Sequence, residues 1–353
     1  MNIYPLFKEK IRTQVFLKVT ESCNLSCKCC YVDSSIHKKM PYELPVNFLK
    51  QFPYLDIQFH GGEPLYFGAD YIINFIKYLK KELVGQDVIF DITSNLVQPQ
   101  EELIKLLQSG LLNQLKTSWN YSDERFAIKE QQHLWDENVK LAGAINPKYK
   151  PYVLITMNGD MVRSSDKEII NMINYFNDLN IKTLCLELLC DTPNTFKNEV
   201  RTYTSEIISD FLSRWYFIEK EIKPSYNNLL FDTIIDELTY KQGHKVFNKD
   251  NDDCIWWINP DGGIGGCPIE DRKVFSIIDN NNSDTYSIEK LKFHKIMEVA
   301  CQMNMMEECK NCEYLAQCGR GCRIRNERAG FECRYPKYLI GTIKQDLLSQ
   351  GLL

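Results

Sequence analysis

Apolar and polar positions follow two different periods along the first half of the chain. Short apolar or β-branched stretches predict six strands, at 15–20, 55–59, 88–93, 114–119, 152–157 and 183–188. Between them, apolar residues recur with helical spacing, most clearly over 70–84, where Ile72, Ile76 and Leu79 share one face. Strands that alternate with helices form a parallel sheet with right-handed crossovers. The pattern therefore predicts an α/β fold, a partial (βα)6 barrel of the TIM type.

Helix boundaries are predicted from residues that stop or cap helices. Gly85 is expected to stop the helix at 70–84. Pro99 and Gly110 are expected at the two ends of a second helix. Ser164 or Ser165 is expected to cap a third helix at 166–179. Residues 199–240 look helical, with Pro224 dividing them. They are expected to link the barrel to a cysteine-rich end.

Four polar motifs follow the first four predicted strands. They are Cys23–Cys30 after the first strand, Gly61-Gly62-Glu63-Pro64 after the second, Ser94-Asn95 after the third and Ser118-Trp119-Asn120 at the end of the fourth. In barrels of this kind the chemistry gathers at the carboxyl ends of the strands. All four motifs are therefore expected on one rim.

Length and charge narrow the class of protein. A chain of 353 residues is expected to form one large domain with a smaller appendage. The formal net charge is -5 at pH 7, and no long basic run occurs, which argues against nucleic acid or an anionic membrane as the main partner. No apolar stretch is long enough to cross a membrane, so a cytoplasmic location is expected.

The cysteines form two groups. Of the 14 in the chain, four fall between 23 and 30 and eight between 254 and 333. In a reducing compartment such clusters favour metal binding over a disulfide framework. The distribution predicts two metal regions.

Cys23, Cys27 and Cys30 form a C-x3-C-x2-C motif, and Gly61-Gly62-Glu63-Pro64 follows it. Three thiolates leave the fourth iron of a 4Fe-4S cluster open. This order of motifs resembles the radical SAM enzymes, in which the amino and carboxylate groups of S-adenosylmethionine complete the cluster.

The resemblance implies roles for the residues on the rim. Glu63 suits the ammonium group of the cofactor, and Gly61 and Gly62 allow the backbone to approach it closely. The set expected to contact the cofactor is Gly61, Gly62, Glu63, Pro64, Ser94, Asn95 and Ser118. Arg125 is expected in solvent at the start of a helix, and pairing with the carboxylate of the cofactor is the alternative. Glu187 is expected either at the barrel mouth, as a ligand or acid-base group, or in water at the rim.

The cysteine loop departs from the family pattern at one position. The residue before the last cysteine is usually aromatic in the family, whereas here it is Cys29. A C-x-C arrangement that uses Cys29 is the alternative to ligation by Cys30. We take Cys30 as the ligand.

The C-terminal cysteines resemble the SPASM extension of radical SAM maturases, which carries two auxiliary 4Fe-4S clusters. The resemblance assigns the outer cluster to Cys309, Cys312, Cys318 and Cys333, and the inner cluster to Cys254, Cys267 and Cys322. The inner cluster then lacks one protein ligand, which a substrate thiolate, Cys301 or a carboxylate could replace. Asn259-Pro260-Asp261-Gly262 is predicted to join two short strands as a hairpin. The alternative to the clusters is zinc, because paired C-x2-C spacings also form zinc ribbons.

The resemblance divides the chain into a radical SAM partial barrel at 1–198, a helical linker at 199–250 and a SPASM domain at 251–353. It implies three 4Fe-4S clusters, S-adenosylmethionine and an electron donor such as flavodoxin or ferredoxin. About fifteen residues precede the first strand, so the leader of a peptide substrate is expected to be recognised by a separate protein, by the linker or by the barrel mouth.

The function implied is that of a maturase that modifies a ribosomally made peptide, foremost by a cross-link at an unactivated carbon. Oxidation of a sulfatase residue to formylglycine is one alternative. That subgroup places an acidic residue where this chain has Pro268, and Asp261 and Glu270 are the nearby substitutes. Epimerisation of a peptide is another. An iron-sulfur redox or sensor protein without turnover, and a zinc-stabilised binding protein, are alternatives of a different class.

Overall fold

The computed structural model describes residues 12–28, 30, 32, 37–122, 125–188, 204–240, 255–265, 275–276, 307–318 and 335–353. The strands are β1 (Thr13–Thr20), β2 (Tyr54–Gly61), β3 (Asp87–Thr93), β4 (Gln114–Asn120), β5 (Tyr152–Met157), β6 (Thr183–Leu188), β7 (Asn227–Asn228), β8 (Ile255–Ile258), β9 (Gly263–Gly265) and β10 (Phe275–Ser276). The helices are α1 (Val46–Leu49), α2 (Ala69–Glu82), α3 (Gln100–Gln108), α4 (Lys129–Ile145), α5 (Asp166–Asp178), α6 (Ser205–Ile222), α7 (Leu229–Tyr240), α8 (Glu307–Lys310), α9 (Leu315–Cys318) and α10 (Tyr335–Ser349).

The strands form one sheet in the order β10-β9-β8-β1-β2-β3-β4-β5-β6-β7. Strands β1 to β7 run parallel to their neighbours in chain order, and helices α2 to α6 lie in the crossovers between them. The six predicted strands are confirmed, each within two residues of its predicted bounds. The sheet is an open, partial barrel, as the sequence pattern predicts.

Helix boundaries follow the signals in the sequence. The Ser165 hydroxyl accepts a bond from the backbone N–H of Glu168, whose side chain in turn accepts from the Ser165 N–H, so the predicted cap of α5 is a capping box. Pro99 precedes α3, and α2 ends at Glu82, ahead of Gly85. The helical stretch before and after Pro224 corresponds to α6 and α7.

The predicted hairpin is confirmed, and it belongs to the main sheet. Strands β8 and β9 pair antiparallel, and the Gly262 N–H donates to the Asn259 carbonyl oxygen (2.9 Å). Gly262 has a φ of +84°, a conformation that glycine adopts without strain. Strand β8 pairs parallel with β1. The cysteine-rich end is thereby hydrogen-bonded to the strand that leads into the first cysteine loop.

The two faces of the sheet have different chemistry. One face is apolar and packs on helices: Phe59 of β2 lies 5.7 Å from Phe75 of α2, and Trp119 of β4 lies 5.2 Å from Phe176 of α5, between ring centroids. The residues that alternate with these apolar residues along each strand point into the barrel. They include Gln14, Gln58, Lys116, Ser118, Asn120 and Thr156. The alternation follows from the period of two in a strand, which turns successive side chains to opposite faces.

Within the described ranges, none of the helices combines the length and the apolar character that crossing a membrane requires.

Candidate active site

A cavity of about 630 Å³ opens at the carboxyl ends of the strands and extends into the barrel. Eight of the predicted site residues line it: Cys23, Cys27, Cys30, Gly61, Gly62, Ser94, Asn95 and Ser118. The structure therefore brings together residues from the ends of four strands, as the order of motifs predicts. Their contacts with a cofactor remain predictions.

The end of β2 holds the start of the cysteine loop. The Gly62 N–H donates to the Thr20 carbonyl oxygen (2.8 Å), and the Glu63 N–H donates to the Ser22 carbonyl oxygen (2.9 Å). Both acceptors lie just before Cys23. The Gly-Gly-Glu motif is thus bonded through its backbone to the segment that carries the first thiol.

The two glycines are needed for this contact. Gly61 has a φ of +133°, which side-chain-bearing residues rarely adopt. A Cβ atom on Gly61 would overlap the Thr20 carbonyl oxygen, and one on Gly62 would overlap the carbonyl oxygens of Glu21 and Ser22. We expected the glycines to allow approach to a ligand. Their demonstrated role is the approach of β2 to the cysteine loop, although both also line the cavity.

Glu63 is fully buried and organises the ends of β2 and β3. Its Oε1 accepts bonds from the Leu65 N–H and the Ser94 hydroxyl (2.9 Å each), and its Oε2 accepts from the Asn95 N–H (2.6 Å). Burial raises the pKa of Glu63, against the effect of these bonds. Glu63 has no exposed surface and is not in the lining of the cavity, so its contact with the ammonium group of the cofactor remains a prediction.

Asn95 joins this network to the cysteine loop. Its side-chain N–H groups donate to Asn24 Oδ1 (2.7 Å) and lie 3.6 Å from the Cys23 sulfur, while its Oδ1 accepts from the Val97 N–H (2.8 Å). Asn24 in turn donates to the Val97 carbonyl oxygen (2.6 Å). The role of Asn24 did not emerge from the sequence, because an asparagine between cysteines has no distinctive spacing.

The three thiols lie in partly buried positions. Burial raises the pKa of Cys23 to about 11 and also raises the pKa of Cys30. Such thiols lose their proton when they bind a metal cation. Within the described residues, no three His, Cys, Asp or Glu side chains are spaced for a single metal ion. A 4Fe-4S cluster offers a separate iron atom to each cysteine.

Arg125 lines the cavity, where we expected a solvated side chain. Its Nε is buried and has no hydrogen-bond partner among the described residues. Its carbonyl oxygen lies 3.8 Å from the Cys27 sulfur. An unpaired guanidinium donor beside the thiols is suited to an anionic group such as a carboxylate. The residues present therefore fit both a cluster and the carboxylate of its cofactor.

The deeper part of the cavity is polar. Lys116 Nζ pairs with Asp91 Oδ2 (3.0 Å) and donates to Gln58 Oε1 (2.8 Å), and Gln58 donates to the Thr93 hydroxyl (2.5 Å). Glu187 of β6 also lines the cavity and is exposed. Its role as a ligand or acid-base group stays a prediction. The sequence pattern predicts apolar or β-branched strands, whereas the structure turns Gln14, Gln58 and Lys116 toward the cavity.

The structure describes three of the seven C-terminal cysteines that the resemblance assigns to auxiliary clusters. Cys309 and Cys318 are buried and Cys312 is half-buried. The Cys312 N–H donates to the Cys309 carbonyl oxygen (3.3 Å), which folds the C-x2-C segment into a turn. Cys254, Cys267, Cys322 and Cys333 lie outside the described residues, as do Cys29 and Cys301. Their assignments remain predictions.

Comparison with known proteins agrees with this geometry. Residues 10–135 match a family described as a 4Fe-4S single cluster domain. The structure of anSMEcpe with bound AdoMet superposes with a TM-score of 0.74 at 14% identity, over 96% of this chain and 94% of that one. The chain shares the fold of that structure.

Two further matches extend the comparison. SuiB of Streptococcus suis, solved with its precursor peptide SuiA, has a TM-score of 0.61 at 14% identity, over 95% of this chain and 76% of that one. An uncharacterized protein of Methanocaldococcus jannaschii is 29% identical over 98 residues. That match covers 27% of this chain and about a third (34%) of the relative. At these identities the structural neighbours establish the fold, and the activity is a separate matter.

Proposed function

We propose that the protein is a radical SAM enzyme that modifies a peptide or protein substrate. The observation that carries this proposal is the single cavity that Cys23, Cys27 and Cys30 share with the Gly61-Gly62 turn and with Arg125. The thiols suit a 4Fe-4S cluster, and the guanidinium group of Arg125, whose buried Nε has no hydrogen-bond partner among the described residues, suits the carboxylate of a bound sulfonium amino acid. The matching family and the shared fold support the same chemistry.

Cys23, Cys27 and Cys30 would hold the cluster that binds the cofactor. The auxiliary clusters would be held by Cys309, Cys312, Cys318 and Cys333, and by Cys254, Cys267 and Cys322. When bound to a reduced cluster, S-adenosylmethionine supplies a 5'-deoxyadenosyl radical that takes hydrogen from an unactivated carbon. The chain's own residues orient the cofactor and the substrate and exclude water. An external donor such as flavodoxin or ferredoxin delivers the electron.

In this assignment Arg125 pairs with the carboxylate of S-adenosylmethionine. Replacing it by glutamine is expected to raise the dissociation constant of the cofactor about tenfold or more, because a hydrogen bond between charged groups is worth about 1.5–3 kcal/mol. Arg125→Lys is expected to restore part of the affinity through its charge. Equilibrium dialysis against labelled cofactor measures the effect. Arg163→Gln, which changes an exposed arginine outside the cavity, is the control. If Arg125→Gln contains a full cluster and binds S-adenosylmethionine with unchanged affinity, Arg125 does not pair with the carboxylate of the cofactor.

The substrate proposed is a peptide. The cavity continues past the thiols to Ser118, Tyr152 and Glu187, which leaves space for a substrate side chain next to the cofactor. The neighbouring structures of anSMEcpe with the Cp18Cys peptide and of SuiB with SuiA support the same class of substrate. A separate protein that binds the leader segment of the peptide completes the proposed set of partners.

The reaction proposed is a cross-link at an unactivated carbon. Such a bond removes two hydrogens from the peptide, one as a hydrogen atom that ends in 5'-deoxyadenosine and one as a proton, with its electron passed to an acceptor such as an auxiliary cluster. Formylglycine formation is the second candidate, and the similarity to anSMEcpe favours it. The two reactions differ in their products, because only formylglycine carries an aldehyde.

The test uses the anaerobically reconstituted protein with S-adenosylmethionine, dithionite and deuterated water. The substrates are a peptide encoded beside this gene and a sulfatase-derived peptide with a cysteine or serine target. A loss of two hydrogens from the first peptide, with no reaction towards a hydrazide probe, supports the cross-link. A product that reacts with the hydrazide supports formylglycine. Deuterium fixed at one carbon without a change in formula would indicate epimerisation. Absence of 5'-deoxyadenosine under all conditions would overturn the enzyme class.

A further inference from the structure

A second cavity, of about 580 Å³, lies beside the active-site cavity. It is a cleft at the end of β4, lined by the first turn of α4 and by residues of α5 from Glu168 to Tyr175. Its lining includes Trp119, Tyr121, Phe126, Ile128, Met172 and Tyr175. We call it the α4–α5 cleft. None of the predicted cluster or cofactor residues lies in its lining.

The floor of the α4–α5 cleft is a set of fixed aromatic rings. Trp119 lies 6.3 Å from Tyr121 and 6.1 Å from Tyr175, between ring centroids. The Tyr175 hydroxyl donates to Asp136 Oδ1 (2.5 Å), and the Tyr121 hydroxyl donates to Glu168 Oε1 (3.3 Å). Because these bonds hold the rings in place, a ligand that packs on them loses little entropy from ordering the protein.

The rim of the cleft offers both apolar and hydrogen-bonding contacts. Ile128, at the start of α4, is 55% exposed beside the aromatic floor. Gln132 and Asn171 supply amide groups on the two sides. Aromatic residues and methionine with a polar rim are the composition typical of protein and peptide interfaces. The cleft is therefore suited to an apolar or aromatic side chain attached to a hydrogen-bonding backbone.

The two cavities share one lining residue. Asn120, the last residue of β4, is in the lining of both, so the cavities lie next to each other. A compact small molecule would occupy one cavity, whereas an extended peptide held in the active-site cavity is long enough to place a neighbouring residue in the α4–α5 cleft.

We infer that the α4–α5 cleft binds the substrate peptide through an apolar or aromatic residue next to the modified position. The inference rests on the proposed function, since it assigns the second contact of the same substrate. It assigns to this cleft part of the specificity for the sequence around the reactive residue.

The experiment uses the full-length reconstituted protein with S-adenosylmethionine. Short random peptides displayed on phage are selected on the wild type, and the enriched peptides are synthesised with a fluorescent label. Their binding is then measured by anisotropy on Asn171→Trp and Asn174→Trp. Both asparagines are exposed on α5, but only Asn171 lines the cleft. Ile128→Asp and Ile170→Asp form a second pair, at isoleucines that are 55% and 39% exposed.

The expected result is a loss of affinity of about tenfold or more in Asn171→Trp and Ile128→Asp, because burial of one large apolar side chain is worth about 1.5–3 kcal/mol. Asn174→Trp and Ile170→Asp are expected to bind as the wild type does. Equal affinity in each matched pair, or no enrichment of peptides, would overturn the inference. Formation of 5'-deoxyadenosine without peptide is measured in the same preparations. Its absence in a wild type that binds peptides through the cleft would contradict the proposed function while the cleft remained supported.

Discussion

Cys30→Ala is expected to stop the formation of 5'-deoxyadenosine, whereas Cys29→Ala is expected to leave it close to the wild-type rate. Cys30 shares the cavity with Cys23 and Cys27, and its N–H donates to the Cys27 carbonyl oxygen (3.2 Å). Loss of a ligand should cost more than about a hundredfold, since even residues that only support metal ligands cost 10–100-fold. The measurement is 5'-deoxyadenosine formed with S-adenosylmethionine and dithionite, together with the iron content.

The comparison is sharp because both variants remove one thiol from adjacent positions of the same loop. The iron content of Cys30→Ala should also be lower by the iron of one 4Fe-4S cluster, and that of Cys29→Ala should be unchanged. The reverse outcome, an inactive Cys29→Ala beside an active Cys30→Ala, would mean that a C-x-C arrangement binds the cluster. If both variants kept full activity, the cysteine loop would not be the radical-generating site.

Gly62→Ala is expected to have the second largest effect, without touching a predicted cluster ligand. The new Cβ would overlap the carbonyl oxygens of Glu21 and Ser22, which are backbone atoms and cannot rotate away. Overpacking of this kind costs about 1–3 kcal/mol of folding stability. The chain can avoid it by moving the loop that leads to Cys23, and displacement of reacting groups by about 1 Å can cost a hundredfold in rate. Cluster content and 5'-deoxyadenosine formation test the prediction.

Gly143→Ala is the matched control for this substitution. Gly143 lies within α4, and a Cβ there would contact only the flexible Lys150 side chain and its Cα, at 3.2 Å and 3.9 Å. Replacing a glycine inside a helix by alanine stabilises it by about 0.5–1 kcal/mol. Thermal unfolding should therefore separate the two variants in opposite directions. Normal iron content and activity in Gly62→Ala would contradict the role of this close approach.

The strands and most helix ends could be predicted because they depend on local patterns. The period of apolar residues places β1 to β6, and Ser165, one of the two serines expected as the cap, precedes α5 directly. The position of β8 beside β1 could not be predicted in this way. That pairing joins residues far apart in the sequence, and the local propensities of the residues do not determine it.

Some members of the candidate site could be predicted from the sequence, whereas Asn24 and the contacts between the residues could not. The order of motifs identified the three thiols and the glycine turn through its resemblance to a known family. It did not show that Glu63 accepts three hydrogen bonds within the protein. Nor did it place Arg125 in the cavity, because a single arginine after a strand has the same local sequence whether it faces solvent or a ligand.

The alternation along the sheet also bears on how such a protein can diverge. In β5, Val153, Ile155 and Met157 are buried against the helices, whereas Tyr152, Leu154 and Thr156 line the cavity. Substitutions at the second set change the shape and polarity of the cavity and leave the first set in place. Cavity-facing residues contribute less to core packing than buried ones do, so substitutions at these positions reduce the folding stability less. A protein lineage can therefore change its substrate through substitutions at cavity-facing positions, while the positions that are buried against the helices maintain the fold.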